Sequence, residues 1–275
     1  MESETDIRTT RIGRQELRYA LMGPADAERV LLLFNGIGAS LESVAPFAAH
    51  FRHMRILTFD VPGVGGSPAP HLPYRFSWLS RLAGRLLDQL GIGAVDVFGV
   101  SWGGALAQQF VRDHPERCRS LTLAATSAGF VMVPGNLKVL TKMATPRRYT
   151  DPDYMRQVGP DIYGGMFRLD RALLAEHIDA LRPGTSRGYL YQLLAGAGWT
   201  SWLWLPQIRI PVLIVMGADD PIVPEVNGRM LAKRLPDARL KVVDCGHLFI
   251  LTQPEMTAKM VEQFILDHEP ARAGG

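Results

Sequence analysis

The stretch AVDVFGVSWGGALAQQF, Ala94–Phe110, decides how this chain is read. It opens as a β-rich run, turns through Gly99-Val100-Ser101-Trp102-Gly103, and continues with helical spacing. A sharp strand-to-helix turn forces its central serine into a strained backbone and pushes the hydroxyl into the open. Glycine is needed on both sides, because a side chain there would collide with the packed strand and helix. The start of the helix also offers N–H groups to developing negative charge. A G-x-S-x-G string alone is common; between a strand and a helix it points to a nucleophilic serine.

Outward from this turn the same alternation repeats. Arg29–Phe34 (RVLLLF), Arg55–Phe59, Ser120–Ala124, Val212–Met216 and Leu240–Val243 read as strands, and Leu17–Leu21 as an antiparallel one near the start. They lack clean polar–apolar alternation, as expected where helices cover both faces of a parallel sheet. Ser77–Leu90, Gly103–Arg112, Pro224–Leu235 and Pro254–Asp267 read as helices, the first with an apolar stripe closed by Gly91. The pattern predicts an α/β fold, a mostly parallel central sheet flanked by helices. It breaks once, over residues 128–205, where no buried strand is found and the stretch is too long for a simple loop. An inserted helical cap, or lid, is expected there. The expected organisation is residues 1–127 and 206–268 as two parts of one core, 128–205 as the cap, and 269–275 (EPARAGG) as a frayed tail.

Composition narrows the function classes. The 275 residues carry 30 Lys+Arg against 27 Asp+Glu, a formal charge of +3, and 47% are hydrophobic. That suits a globular chain and is too apolar for a disordered one. So small a basic excess gives no sign of a nucleic-acid partner. Two cysteines, Cys118 and Cys245, do not make a disulfide framework. The polar start lacks the apolar core of a signal peptide, and no apolar run approaches the roughly 18 residues of a membrane span. A cytoplasmic protein with no membrane span is expected.

A serine hydroxyl needs a base to become a nucleophile. Of seven histidines, His247 alone sits in a short Gly-His turn after a late strand, in KVVDCGHLF. The base in turn needs a carboxylate to fix its tautomer. Met216–Pro221 (MGADDP) offers two just beyond a strand: Asp220, in the spacing Gly217, Asp220, Pro224, is preferred, and Asp219 is the alternative. An oxyanion hole needs two aimed N–H donors. The N–H of Trp102, next to Ser101, is one; that of Ile37, in the loop Asn35-Gly36-Ile37-Gly38 after RVLLLF, is the other. Asp60 and Asp96 are read as structural. No metal and no cofactor is expected.

With these residues in place, the chain resembles the α/β-hydrolase superfamily over nearly its whole length. The order Ser101, Asp220, His247 is that of the superfamily, and Asp60-x-x-Gly63-x-Gly65-x-Ser67 is similar to its loop after the fourth strand. Asn35 departs from it, since many members carry histidine there. NGIGASLE (Asn35–Glu42), FDVPGVGGSP (Phe59–Pro68) and GVSWGGALAQQF (Gly99–Phe110) are similar to the intracellular medium-chain-length poly(3-hydroxyalkanoate) depolymerases of bacteria. So are RDHPERC (Arg112–Cys118), IYGGMFR (Ile162–Arg168), GWTS (Gly198–Ser201) and CGHLF (Cys245–Phe249). The resemblance implies an α/β-hydrolase fold whose Ser101, Asp220 and His247 form a triad that cleaves polyester stored in cytoplasmic granules. Alternatives on the same scaffold are a carboxylesterase or lactonase for small acyl esters, a carbon–carbon bond hydrolase, and a non-catalytic ligand- or granule-binding protein.

The cap groups apolar residues at both ends, Phe130–Val133 at its start and Trp199, Trp202 and Trp204 at its close. Trp199 and Trp202 are therefore candidate substrate contacts, suited to grip alkyl groups or rest on a granule surface, and Asn35 and Gly36 of the oxyanion loop are candidate contacts beside them. Lys138, Lys142, Arg147 and Arg148 read as a solvated basic face.

Overall fold

In the computed structural model, which describes residues 5–145, 147, 151–180, 182 and 184–268, the β-rich runs assemble into one eight-stranded sheet. Its strands are β1 (Thr5–Ile12), β2 (Gln15–Met22), β3 (Arg29–Phe34), β4 (Met54–Phe59), β5 (Val95–Val100), β6 (Cys118–Ala124), β7 (Val212–Gly217) and β8 (Ala238–Val243). They lie in the order β1-β2-β4-β3-β5-β6-β7-β8. β1 pairs antiparallel with β2, and β2 antiparallel with β4; the remaining pairs are parallel. β1 escapes the sequence reading because TDIRTTRI is polar and largely exposed. Its hairpin with β2, in register from Thr5↔Met22 to Ile12↔Gln15, holds it in place.

The inner strands β3–β7 are largely apolar because neighbouring residues bury themselves in opposite layers. Leu32, Phe34, Val97, Leu121 and Ile214 join α1 (Phe76–Gln89) and α2 (Trp102–Asp113) on one face. Leu31, Leu33, Phe98, Val100 and Val215 face the other way, onto Phe47, Phe51, Val261 and Phe264. Between β6 and β7 the chain forms α3 (Leu137–Met143), α4 (Pro152–Tyr163), α5 (Arg171–Ala180) and α6 (Ser186–Gly196), referred to below as the cap. Cap residues Val158, Ile162, Leu174 and Tyr191 belong to the same apolar layer as α1 and α2, and a bridge between Gly129 and Thr200 closes the cap's base. α7 (Val226–Arg234) and α8 (Pro254–Asp267) complete the core.

The strand order fixes where a ligand belongs. β4 lies on one side of β3 and β5 on the other, so the loops after β3 and β5 diverge and leave a crevice at the carboxyl end of the sheet. Asn35 follows β3 and Ser101 follows β5, at the two lips of that crevice. No helix among the described residues is long and apolar enough to cross a membrane. The tail 269–275 and Arg148 lie outside the described residues.

Candidate active site

Ser101 stands alone at the corner between β5 and α2, with φ 55° and ψ −119°. Such a conformation costs a non-glycine residue about 1–3 kcal/mol and persists only where its surroundings enforce it. Here Ser101 N–H donates to Ala124 O at 2.8 Å, and Thr126 Oγ1 donates to Ser101 O at 2.7 Å. Packing completes the constraint: a Cβ on Gly103 would stand 2.1 Å from Phe34 O, and one on Gly99 2.4 Å from Gly103 O. Strand and helix touch backbone to backbone, which leaves the serine side chain as the part that projects.

The loops after β7 and β8 bring two more groups to this corner. His247 Nε2 lies 3.0 Å from Ser101 Oγ, and His247 Nδ1 lies 2.7 Å from Asp220 Oδ2. The other carboxylate oxygen, Asp220 Oδ1, accepts the N–H groups of Ile222 (2.8 Å) and Val223 (2.9 Å). His247 and Asp220 are buried, at 3% and 6% exposure, so water does not compete for these bonds. With Nδ1–H turned to the carboxylate, Nε2 is left as an acceptor for the serine proton.

Asp219, the alternative acid, is placed differently. Its Oδ2 accepts the Gly165 N–H at 2.8 Å and pairs with Arg168 at 2.5 Å, both in the cap. Partial burial opposes its ionisation, but these two donors outweigh it and hold the carboxyl below the ordinary carboxylate range. The cap touches the histidine turn as well. Tyr163 O accepts the His247 backbone N–H at 2.7 Å, and a Cβ on Gly165 would stand 2.2 Å from Gly246 N. The paired glycines of IYGGMFR are the sequence signal of this close approach.

The loop after β3 lies against the serine, with the Cβ position of Gly36 3.9 Å from Ser101 Cβ. Asn35 shapes it: Nδ2 donates to Ser40 O and Ser43 Oγ, both at 2.9 Å, while Oδ1 accepts Gly36 N–H at 2.8 Å. The Asn35 amide is thus engaged within its own loop. Further along, Leu41 N–H donates to buried Asp60 at 2.8 Å. Burial raises the Asp60 carboxyl despite donors at Gly66, Leu41 and Arg18. Across the crevice, Trp102 opens α2, so its N–H is among the first four of the helix, which have no intrahelical acceptor. Gln192 of α6, which the sequence reading missed, reaches both sides: its Oε1 accepts Gly38 N–H at 2.9 Å, and its backbone O accepts Trp102 Nε1–H at 2.8 Å. The only signal was a lone amide in an apolar run, GYLYQLLAG.

Two hollows meet at Ser101. One is lined by Ile37, Val44, Ile250 and Leu251 from the core, by Met143, Tyr163 and His177 from the cap, and by His247. The other is bounded by Phe76, Trp102, Met132, Trp199 and Val223 and opens beside Phe130, which is 77% exposed. Both are walled mainly by apolar groups, as binding hollows for apolar ligands are. Trp199 lines the second and donates Nε1–H to Gln109 Oε1 at 2.8 Å. Trp202 is not brought to Ser101 and lies instead under the Arg234 guanidinium, 4.9 Å from its ring centroid. In the basic segment, Lys142 pairs with Asp161 at 2.7 Å and Arg147 with Asp151 at 2.9 Å. Among the described residues, no group of three or more His, Cys, Asp or Glu could hold a metal ion.

A family model for the alpha/beta hydrolase fold matches residues 29–162 and 174–254. The chain belongs to the α/β-hydrolase fold family. This hydrolase is 50% identical over 97% of its length to a poly(3-hydroxyalkanoate) depolymerase of Ectopseudomonas oleovorans, covering 94% of that relative. The narrower resemblance in the sequence strings therefore extends over nearly the whole chain. It is also 32% identical over 77% of its length to a pimeloyl-[acyl-carrier protein] methyl ester esterase of Aromatoleum aromaticum, covering 88% of it. The enol-lactonase of Burkholderia xenovorans has the same fold, with a TM-score of 0.82 at 24% identity, over 94% of this chain and 100% of that one.

Proposed function

We propose that this hydrolase cleaves the ester bonds of medium-chain-length poly(3-hydroxyalkanoate) through a covalent acyl-enzyme on Ser101. The observation that carries the chemistry is the buried hydrogen-bonded chain from Ser101 through His247 to Asp220. In this reading His247 Nε2 takes the Ser101 proton as Oγ attacks the ester carbonyl, and Asp220 stabilises the imidazolium. The N–H groups of Ile37 and Trp102 receive the negative oxygen of the tetrahedral intermediate, a contribution of about 3 kcal/mol for each donor. Collapse of the intermediate releases the alcohol end of the chain, with its proton supplied by His247. Water activated by the same ring then frees the 3-hydroxy acid or oligomer. No metal or cofactor takes part in these steps.

The choice of polyester is supported by 50% identity to the Ectopseudomonas enzyme across nearly both whole chains. Two apolar hollows on either side of Ser101 suit an ester with alkyl groups on both the acyl and the alcohol side. Beside the second hollow the cap exposes Phe130, and elsewhere in the same segment Leu137 and Leu203 are 72% and 80% exposed; exposed apolar side chains of this kind suit contact with a storage granule. In this reading the protein works in the cytoplasm, at the granule surface, on residues 128–205 acting as its cap.

Purified protein is expected to release soluble 3-hydroxy acids from medium-chain polyester granules, with Ser101→Ala reducing release by about 10⁶-fold. Mass spectrometry of the supernatant measures this. Fast turnover of small esters or lactones with no release from granules overturns the polyester assignment and favours the small-ester reading.

A further inference from the structure

We infer that Gln192, on the cap helix α6, is a positioning residue for the oxyanion hole, so the cap helps build the reaction centre as well as covering it. The inference rests on Ser101 as nucleophile and on Ile37 and Trp102 as donors. Gln192 is fully buried and makes one contact to each lip of the crevice: Oε1 to Gly38 N–H at 2.9 Å, and its backbone O to the Trp102 indole N–H at 2.8 Å. Gly38 follows Ile37 directly, and Trp102 carries the second donor, so one residue ties down both halves of the hole.

The amide orientation is not arbitrary. Gly38 N–H can only donate, which fixes Oε1 toward the loop and leaves Nε2 as a buried donor with no acceptor. A buried unsatisfied donor is unfavourable, and a methionine of similar length would fill the space without one. What the amide provides that methionine lacks is the acceptor at Gly38. Gly38 itself has φ 73°, a left-handed turn residue, and its N–H is held by a side chain from another part of the chain rather than by its own loop. Small displacements of such donors matter, because they must point to where the oxyanion forms rather than to the ground-state carbonyl.

The test compares Gln192→Met, which removes the acceptor, with Gln192→Glu, which keeps one in place. Each is measured with a soluble activated ester and with a fluorophosphonate whose P=O occupies the oxyanion position, and sites are counted from the final extent of labelling. Per labelled site, Gln192→Met is expected to lose at least about tenfold in kcat with KM within about twofold, and to label more slowly in proportion. Gln192→Glu is expected to regain most of both. Should Gln192→Met not fold, Trp102→Phe, which removes the indole contact, is expected to show the same pattern to a smaller degree. Unchanged kcat and labelling rate per site in these variants overturns the role of Gln192 while leaving the serine reading intact. A wild-type protein that reacts with neither ester nor fluorophosphonate overturns both.

Discussion

Core and cap meet at the same pocket by different means. The core presents its groups from sheet corners set by backbone packing: Ser101 between β5 and α2, Asp220 after β7 and His247 after β8. The cap reaches those corners from outside, through Tyr163, Gly165, Arg168 and Gln192. Asp219 and Asp220 put the contrast into two adjacent residues. One carboxylate turns inward to the His247 ring and two core N–H groups, the other outward to a cap N–H and a cap arginine. In the proposed reaction, core contacts define which atoms react and cap contacts define how well those atoms are held.

The largest effect that tests this division is on the acids. Asp220→Asn is expected to lower kcat by about 10⁴-fold, since the amide favours the wrong histidine tautomer. Asp219→Asn, which loosens only the cap contact, is expected to cost less than about tenfold. Similar losses in both, measured on a soluble ester, would erase the distinction.

A middle-sized effect comes from the junction itself. Gly165 has φ 49°, and a Cβ there would press on Gly246 N next to His247. Gly165→Ala is expected to shift the histidine turn and reduce kcat by about 10- to 100-fold, with a fall in Tm. Gly13→Ala is the control: φ is 62°, but nothing lies within 4 Å, so about 1–2 kcal/mol of backbone strain lowers Tm and leaves kcat alone. Equal kcat in the two variants breaks the link between cap and histidine.

The smallest effect is electrostatic. The Asp219 carboxyl lies below its unfolded value in the folded protein, so its stabilisation is present above the ordinary carboxylate pKa and disappears as pH falls through the lowered folded value. The stability gap between wild type and Asp219→Asn should therefore narrow as pH drops below about 4, in urea titrations at stepped pH. A gap that stays constant would mean the contact does not depend on the charge.

The core was legible in the sequence because its determinants are local. An apolar run, a glycine pair around a serine and a Gly-His turn each sit within a few residues, and each specifies a backbone shape. β1 was hidden by its polarity, and Thr126 by the fact that its hydroxyl serves a residue 25 positions earlier. The cap's contributions were less visible for the same reason on a larger scale. Gln192 acts 154 positions from Gly38, and nothing in GYLYQLLAG says where the amide points. The tryptophans mislead in the opposite direction: Trp199, Trp202 and Trp204 fall within six residues of the chain, yet Trp199 lines a hollow while Trp202 and Trp204 lie under Arg234 and Arg112.

The seam between cap and core runs the length of the inserted segment. Val133 exchanges both its backbone bonds with Asn227, Asn136 N–H bonds to Pro221 O, and Thr185 N–H bonds to Gly63 O. Ser201 and Trp199 close it on Gln108 and Gln109. An insertion fastened this way is expected to have no melting behaviour of its own. Heat should dismantle the α4–α6 helices and the sheet in a single cooperative step, and a cap cut from its core would lose the partners of its own backbone along with its apolar floor.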